Sequence, residues 1–279
     1  MISRTMTPVV EPEESRMADK NREHIQKLRE EANAIRKQEE ARAKRGRVLT
    51  QVGIIVGAVV VLGAIVLLAV FGSTWFGKKI EITADGTVAV GRLDGSTVEQ
   101  PIEVVDNSAI VVGAADAPVK IDYYFDYSCP HCVDYHEQTG AVYNDLVASG
   151  GAQVTYHAIN IVAPYGAEAA AAIAATVANE PGAFFEVHDG LFGIPAETQT
   201  GWGPADYASA LGQLGVTNQQ ALADTTNGEF SSWAASNTTA ARAAGVNGTP
   251  TIFIDGEIQQ TPPDAATLMG LVGTANTGE

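Results

Sequence analysis

The stretch Val119-Lys120-Ile121-Asp122-Tyr123-Tyr124-Phe125-Asp126-Tyr127-Ser128-Cys129-Pro130-His131-Cys132 carries two signals in succession. Val119 to Asp126 is rich in β-branched and aromatic residues and reads as a strand. It ends at a Cys-Pro-His-Cys quartet, and residues 133–148 follow as a helix. A Cys-x-x-Cys that opens a helix puts both sulfurs on one face at i,i+3, close enough for a small-ring disulfide. Pro130 suits the first helical turn, where its missing N–H costs nothing.

Working outward, Gln153 to Ile161 reads as a second strand. From Gly166 to about Ala244 the composition turns Ala-rich, with helical periodicity broken at Pro181-Gly182, at Gly201-Trp202-Gly203-Pro204 and at Gly215. Four or five short helices are expected there. Thr251 to Ile254 reads as a strand, Asp255-Gly256 as a hairpin turn into Glu257-Ile258-Gln259, and Pro263 to about Val272 as a closing helix. A β-α-β half, a helical block and a β-β-α half make an α/β fold with an all-helical insertion at about 166–244.

The chemistry centres on the quartet. Cys129 would sit at the positive end of the helix dipole, beside unpaired N–H groups that stabilise its thiolate. His131 adds a charge or a hydrogen bond. Each pKa unit by which that thiolate lies below ambient pH favours the dithiol by about 1.4 kcal/mol, or roughly 30 mV, so the disulfide form is an oxidant. Three plainer readings stand beside this one. A structural disulfide across so short a loop would restrict little unfolded-state entropy. A zinc site from Cys129, His131, Cys132 and His136 would lack a second ligand pair, and His157 and His188 are distant in sequence. Chance occurrence is the third.

The motif Asp126-x-x-Cys129-Pro130-His131-Cys132 does not stand alone. With the Ala117-Pro118-Val119-Lys120-Ile121 strand, Phe184 to Phe192 in the helical block and Gly245-Val246-Asn247-Gly248-Thr249-Pro250-Thr251, the chain resembles the DsbA-type thioredoxin family. In particular it resembles the membrane-anchored actinobacterial members. The resemblance covers residues 109–275 and implies a thioredoxin fold and disulfide exchange. Residue by residue, it makes Cys129 the exposed nucleophile, Cys132 its buried resolving partner and His131 the tuning residue. Pro250 becomes a cis-proline against the disulfide, and Thr249 offers backbone groups to an extended substrate. One departure is visible: where related folds carry a buried acid, six residues before the nucleophile, this chain has Tyr123. Asp126 is the candidate proton relay. No cofactor or metal is expected. Implied partners are newly exported cysteine-containing proteins and a quinone-linked membrane protein, vitamin K epoxide reductase-like or DsbB-like, that reoxidises the dithiol. A reductase or isomerase of the same fold, or a redox-inert binding module, are the alternatives.

Composition adds topology. The 279 residues carry a net charge of −16, which argues against a nucleic-acid partner. The charge is split, since residues 1–50 hold 12 of the 17 Lys+Arg and 9 of the 33 acids. Between the halves, Val52 to Phe71 lacks any charged side chain and at 1.5 Å per residue spans roughly 30 Å, a bilayer core. About fifty residues precede it and no A-x-A site follows, so a retained anchor is expected rather than a cleaved signal. The basic flank before the span places the N-terminus in the cytoplasm and the larger portion outside the cell membrane. The expected organisation is a cytoplasmic arm over 1–47, disordered and then helical; a transmembrane helix over 48–76; a β-hairpin and connector over 77–108; and the main domain over 109–279. The hairpin is expected to turn at Asp85-Gly86, between Ile80–Ala84 and Thr87–Val90.

Overall fold

The structure, a computed structural model, describes residues 84–275 together with Ile82, Lys27 and Arg36, with side chains to Leu271. The expected cytoplasmic arm and the apolar span Val52–Phe71 otherwise lie outside the described residues. Among those that are described, no helix is long and apolar enough to cross a membrane.

Seven strands form one sheet: β1 (Asp85–Gly91), β2 (Thr97–Val105), β3 (Ala109–Val112), β4 (Val119–Phe125), β5 (Ala152–Ala158), β6 (Thr251–Ile254) and β7 (Glu257–Ile258). Their order is β1-β2-β3-β5-β4-β6-β7, with β4 and β5 parallel and every other neighbouring pair antiparallel. The parallel pair needs a crossover, which helix α1 (Pro130–Ala148) supplies. Alternation along β4 sends Val119, Ile121, Tyr123 and Phe125 into the main core, while Tyr124 packs in a smaller cluster with Ile159, Val246 and Phe253. Tyr123 is thereby stacked on Tyr143 of α1, with ring centroids 5.5 Å apart.

Between β5 and β6 come α2 (Tyr165–Asn179), a 3-10 turn (Pro181–Ala183), α3 (Phe184–Gly193), α4 (Ala196–Gln199), α5 (Pro204–Gln213), α6 (Gln219–Thr226) and α7 (Trp233–Ala243). This is more than the four or five helices expected, because the chain also breaks at Pro195 and at the turn after Thr226, where Gly228 takes φ +63°. Ten of the fifteen residues of α2 are buried, among them six alanines and a glycine, and so small a surface lets α3, α5, α6 and α7 pack against it. Helix α8 (Ala265–Ala275) closes the chain against α1 and β4.

The N-terminal hairpin differs from expectation. Asp85-Gly86 does not turn; it lies inside β1, paired with Glu103 and Ile102. The reversal occurs at the next Asp-Gly pair, Asp94-Gly95, where Gly95 takes φ +83° and the Asp94 carboxylate accepts from the Ser96 N–H and hydroxyl. The segment expected as a connector is strand β2, so the sheet begins before Ala109. Pro101 is tolerated inside β2 because it lies past the last β2–β3 pair. There its carbonyl accepts from Gly113 N–H, and Gly113's own carbonyl takes Gln153 Nε2 instead.

Candidate active site

Cys129 is the N-cap of α1, in extended backbone (φ −87°, ψ 116°), with Pro130 at the first helical position. Its carbonyl accepts the first helical bonds, from the N–H groups of Cys132 (2.9 Å) and Val133 (3.1 Å), so its side chain faces the free donors of the first turn. Both cysteines are thiols here. The Cys129 thiol is lowered to about 5, with Cys132 as the largest cause; Thr249 and the main-chain N–H groups of Cys132 and His131 act in the same direction, against burial. Cys132 is fully buried, and burial, then Cys129, pushes its thiol far up. The pair is therefore split into one sulfur that ionises readily and one that does not.

Cys129 was expected to be exposed, but it is 4% exposed. The reason is the strand-entry loop before β6: the Thr249–Pro250 peptide is cis, and Cys129 Sγ donates to the Thr249 carbonyl at 3.4 Å. The Thr249 hydroxyl is buried and has no hydrogen-bond partner among the described residues. His131 contributes through its main chain; its side chain is exposed and lines a groove of about 410 Å³ with Tyr135, Gln138, Thr249, Pro250 and Pro262.

On the other side of the turn, Asp126 is completely buried and its carboxylate is saturated. One oxygen accepts from the Ser128 N–H (2.8 Å) and hydroxyl (2.6 Å), the other from the N–H groups of Ile161 (2.8 Å) and Val162 (2.9 Å). Ser128 Oγ in turn accepts from the Ala163 N–H at 2.9 Å. Asp126, expected as a proton relay, thus spends its carboxylate on two loops, and neither sulfur is among these partners. The first turn of α2 lies so close that a Cβ on Gly166 would stand 2.3 Å from Asp126 Oδ1 and 2.7 Å from Ser128 Oγ. Tyr123, at the departure noted in sequence, is a buried phenol pushed well above its usual range by burial, and its hydroxyl has no partner among the described residues. It is not an acid near neutral pH.

Sequence reading missed Ser128, Gly166 and the bond between Tyr127 and His188, whose hydroxyl and Nδ1 are 2.8 Å apart in the core. Asp-x-Ser is a local signal for a side chain that bonds two residues on. His188 within the apolar stripe of Phe184, Phe185, Val187, Leu191 and Phe192 is a buried polar group that needs a partner. Nothing in the sequence marks Gly166. Among the described residues no group of three His, Cys, Asp or Glu side chains is arranged to hold a metal.

A strand feeding a Cys-x-x-Cys helix N-terminus, faced by a cis-proline at the entry to the next antiparallel strand, defines a thioredoxin-fold domain. The chain belongs to the thioredoxin family, as a family profile described as Thioredoxin matches residues 106–273. Similar solved structures include MdbA, a thiol-disulfide oxidoreductase, from Corynebacterium diphtheriae (21% identical, TM-score 0.52, covering 70% of this chain and 96% of that one). MdbA from Actinomyces oris is also similar (20%, TM-score 0.54, covering 61% and 87%), as is BdbD from Bacillus subtilis (19%, TM-score 0.52, covering 68% and 100%). A curated relative, the Na(+)/H(+) antiporter NhaA 3 of Salinispora tropica, is 28% identical over 165 residues, which are 59% of this chain and 24% of that protein. The chain therefore matches about a quarter of that relative's length.

Proposed function

We propose that this protein is a thiol-disulfide oxidoreductase that donates its Cys129–Cys132 disulfide to cysteine-containing proteins outside the cytoplasm. The observation that carries the reading is the opposite displacement of the two thiols, Cys129 down to about 5 and Cys132 far up. A substrate thiolate attacks Cys129 Sγ, the S–S bond breaks, and Cys132 leaves with the electron pair and takes a proton. The second substrate thiolate then attacks the substrate sulfur of the mixed disulfide, and Cys129 leaves as a thiolate. The substrate dithiol is oxidised and the enzyme disulfide reduced. The second departure is favoured because low-pKa thiols leave faster, and a thiolate about two pH units below neutral makes the couple more oxidising by roughly 60 mV.

The groove beside Thr249 and Pro250 fits an extended peptide, whose main chain would pair with Thr249. The location outside the membrane rests on the basic flank and the apolar span Val52–Phe71. The reoxidising partner we infer is a quinone-linked membrane protein, vitamin K epoxide reductase-like or DsbB-like. Cys132→Ala, expressed in full-length form, should trap mixed disulfides through Cys129 with exported proteins. A glutathione titration should place the couple at the oxidising end; a value at the thioredoxin end would reject donation in favour of a reductase or isomerase.

A further inference from the structure

Six rings surround the imidazole of His188: Phe125 of β4, Tyr127 of the active-site turn, His136 of α1, Tyr156 of β5, and Phe184 and Phe192 of its own helix. Their centroids lie between 5.0 and 5.7 Å away. Within this cage the imidazole makes one hydrogen bond, Nδ1 to the Tyr127 hydroxyl, and Nε2 has no partner among the described residues. The neighbouring contact of His136 Nε2 with Asp189 Oδ1, at 3.1 Å, does not include it. Burial holds His188 neutral, so the Tyr127 hydroxyl can donate to it.

Packing does not account for a histidine here. An apolar ring would fill the same cage without a bare nitrogen, and a buried polar atom left alone is a cost that the fold must offset. What the imidazole does provide is a single directed bond, and that bond lands on Tyr127, between the two residues whose side chains clamp the 160–163 loop. Asp126 and Ser128 are fixed by the 161–163 main chain and Tyr127 by α3. The next residue is Cys129, whose N–H is bonded to the Asp126 carbonyl at 3.0 Å.

We propose that His188 is a positioning residue for Cys129. By holding the Tyr127 hydroxyl it fixes the 126–129 turn, and with it the direction in which Cys129 Sγ meets the N–H groups of His131 and Cys132. The helical insertion, through α3, thus sets the reactivity of a cysteine it does not touch with a polar atom. The inference rests on the reading of Cys129 as the thiolate nucleophile.

The test uses the reduced full-length chain, with Tyr127→Phe, His188→Phe and the double variant. Alkylation of Cys129 by iodoacetamide is followed against pH by mass spectrometry, and thermal unfolding is followed in parallel. Each single variant should lose stability because it strands one polar partner, and the double variant should regain it because an aromatic pair fills the cage. All three should show the Cys129 midpoint raised by about half a pH unit, a roughly threefold fall in the thiolate-to-thiol ratio at the wild-type midpoint. A double variant with wild-type titration would overturn the proposal, since stability alone would then be at stake. If His188→Phe does not fold, Tyr127→Phe, which removes one oxygen atom, decides by the same midpoint. A wild-type chain with no acid-shifted midpoint would instead overturn the reading of the site.

Discussion

The two walls of the active-site turn are built in opposite ways. On the Asp126 side every carboxylate oxygen is matched by donors, with Ser128, Ile161, Val162 and Ala163 drawn into one network. On the Thr249 side there is a single long S–H···O contact, a hydroxyl without a partner, and an open groove. Saturation makes a scaffold, because moving any member strands a buried group. An open groove beside a weakly engaged main chain makes a receiving surface, because an incoming peptide meets a Thr249 carbonyl held by one long contact alone. Cys129 lies between them, held by one wall and presented by the other.

If the Asp126 wall is a scaffold, Asp126→Asn should be the most damaging change, since an amide N–H₂ would face donors. The expected cost is about 3 kcal/mol or more in urea unfolding of the oxidised protein, as for other broken buried networks. A loss below about 1 kcal/mol would break the comparison.

The next effect separates the redox states. The folded pKa of Cys129 is depressed, so its contribution to the reduced form is fully present above the unfolded thiol pKa and is lost as pH falls through about 5. Reduced protein should gain stability relative to oxidised protein as pH rises from about 5 to about 8.5, by roughly 3 kcal/mol at pH 7. The unfolding midpoints of both forms across that range check the sign; a difference independent of pH would refute it. Cys132, raised instead, stays a thiol in the folded chain, so it opposes this gain only near the top of the window, where its unfolded thiol begins to ionise.

Gly166→Ala tests the scaffold from the α2 side. A methyl 2.3 Å from Asp126 Oδ1 must displace the carboxylate or the helix, for an expected loss of about 1–3 kcal/mol. The Cys129 titration should move with it only if the clamp also orients the turn.

The same contrast explains what could be read without coordinates. The strand, the Cys-x-x-Cys helix and the Thr249–Pro250 entry to β6 are written in local pattern: alternation of period 2, a proline at the first helical turn, and a short apolar run after a proline. The Asp255-Gly256 turn was equally local, with φ +50° and +83° at the two residues. Asp85-Gly86 shows the limit, because the identical dipeptide at Asp94-Gly95 gained the Ser96 bonds and the reversal, and long-range pairing with β2 kept the first pair extended. Asp126 was legible as a residue of interest, but not its function, because its partners lie 35 and 36 positions away. The Tyr127–His188 bond, across 61 positions, has the same character.

The smallest expected effect probes the receiving wall. Thr249→Val keeps the shape of the side chain and deletes a buried hydroxyl that has no partner among the described residues, so stability should hold or rise, by up to about 1 kcal/mol. The same hydroxyl stands beside the sulfurs, and Thr249 is among the groups that lower the Cys129 thiol. The variant should therefore titrate at a higher pH and, with its thiolate less stabilised, become a weaker oxidant while no less stable. That divergence separates the two walls: on the Asp126 side, loss of a polar group is read first in stability, whereas on the Thr249 side it should be read in the potential. A Thr249→Val protein that loses stability as Gly166→Ala does, with its glutathione equilibrium unchanged, would show that both walls are scaffold and that the groove is no receiving surface.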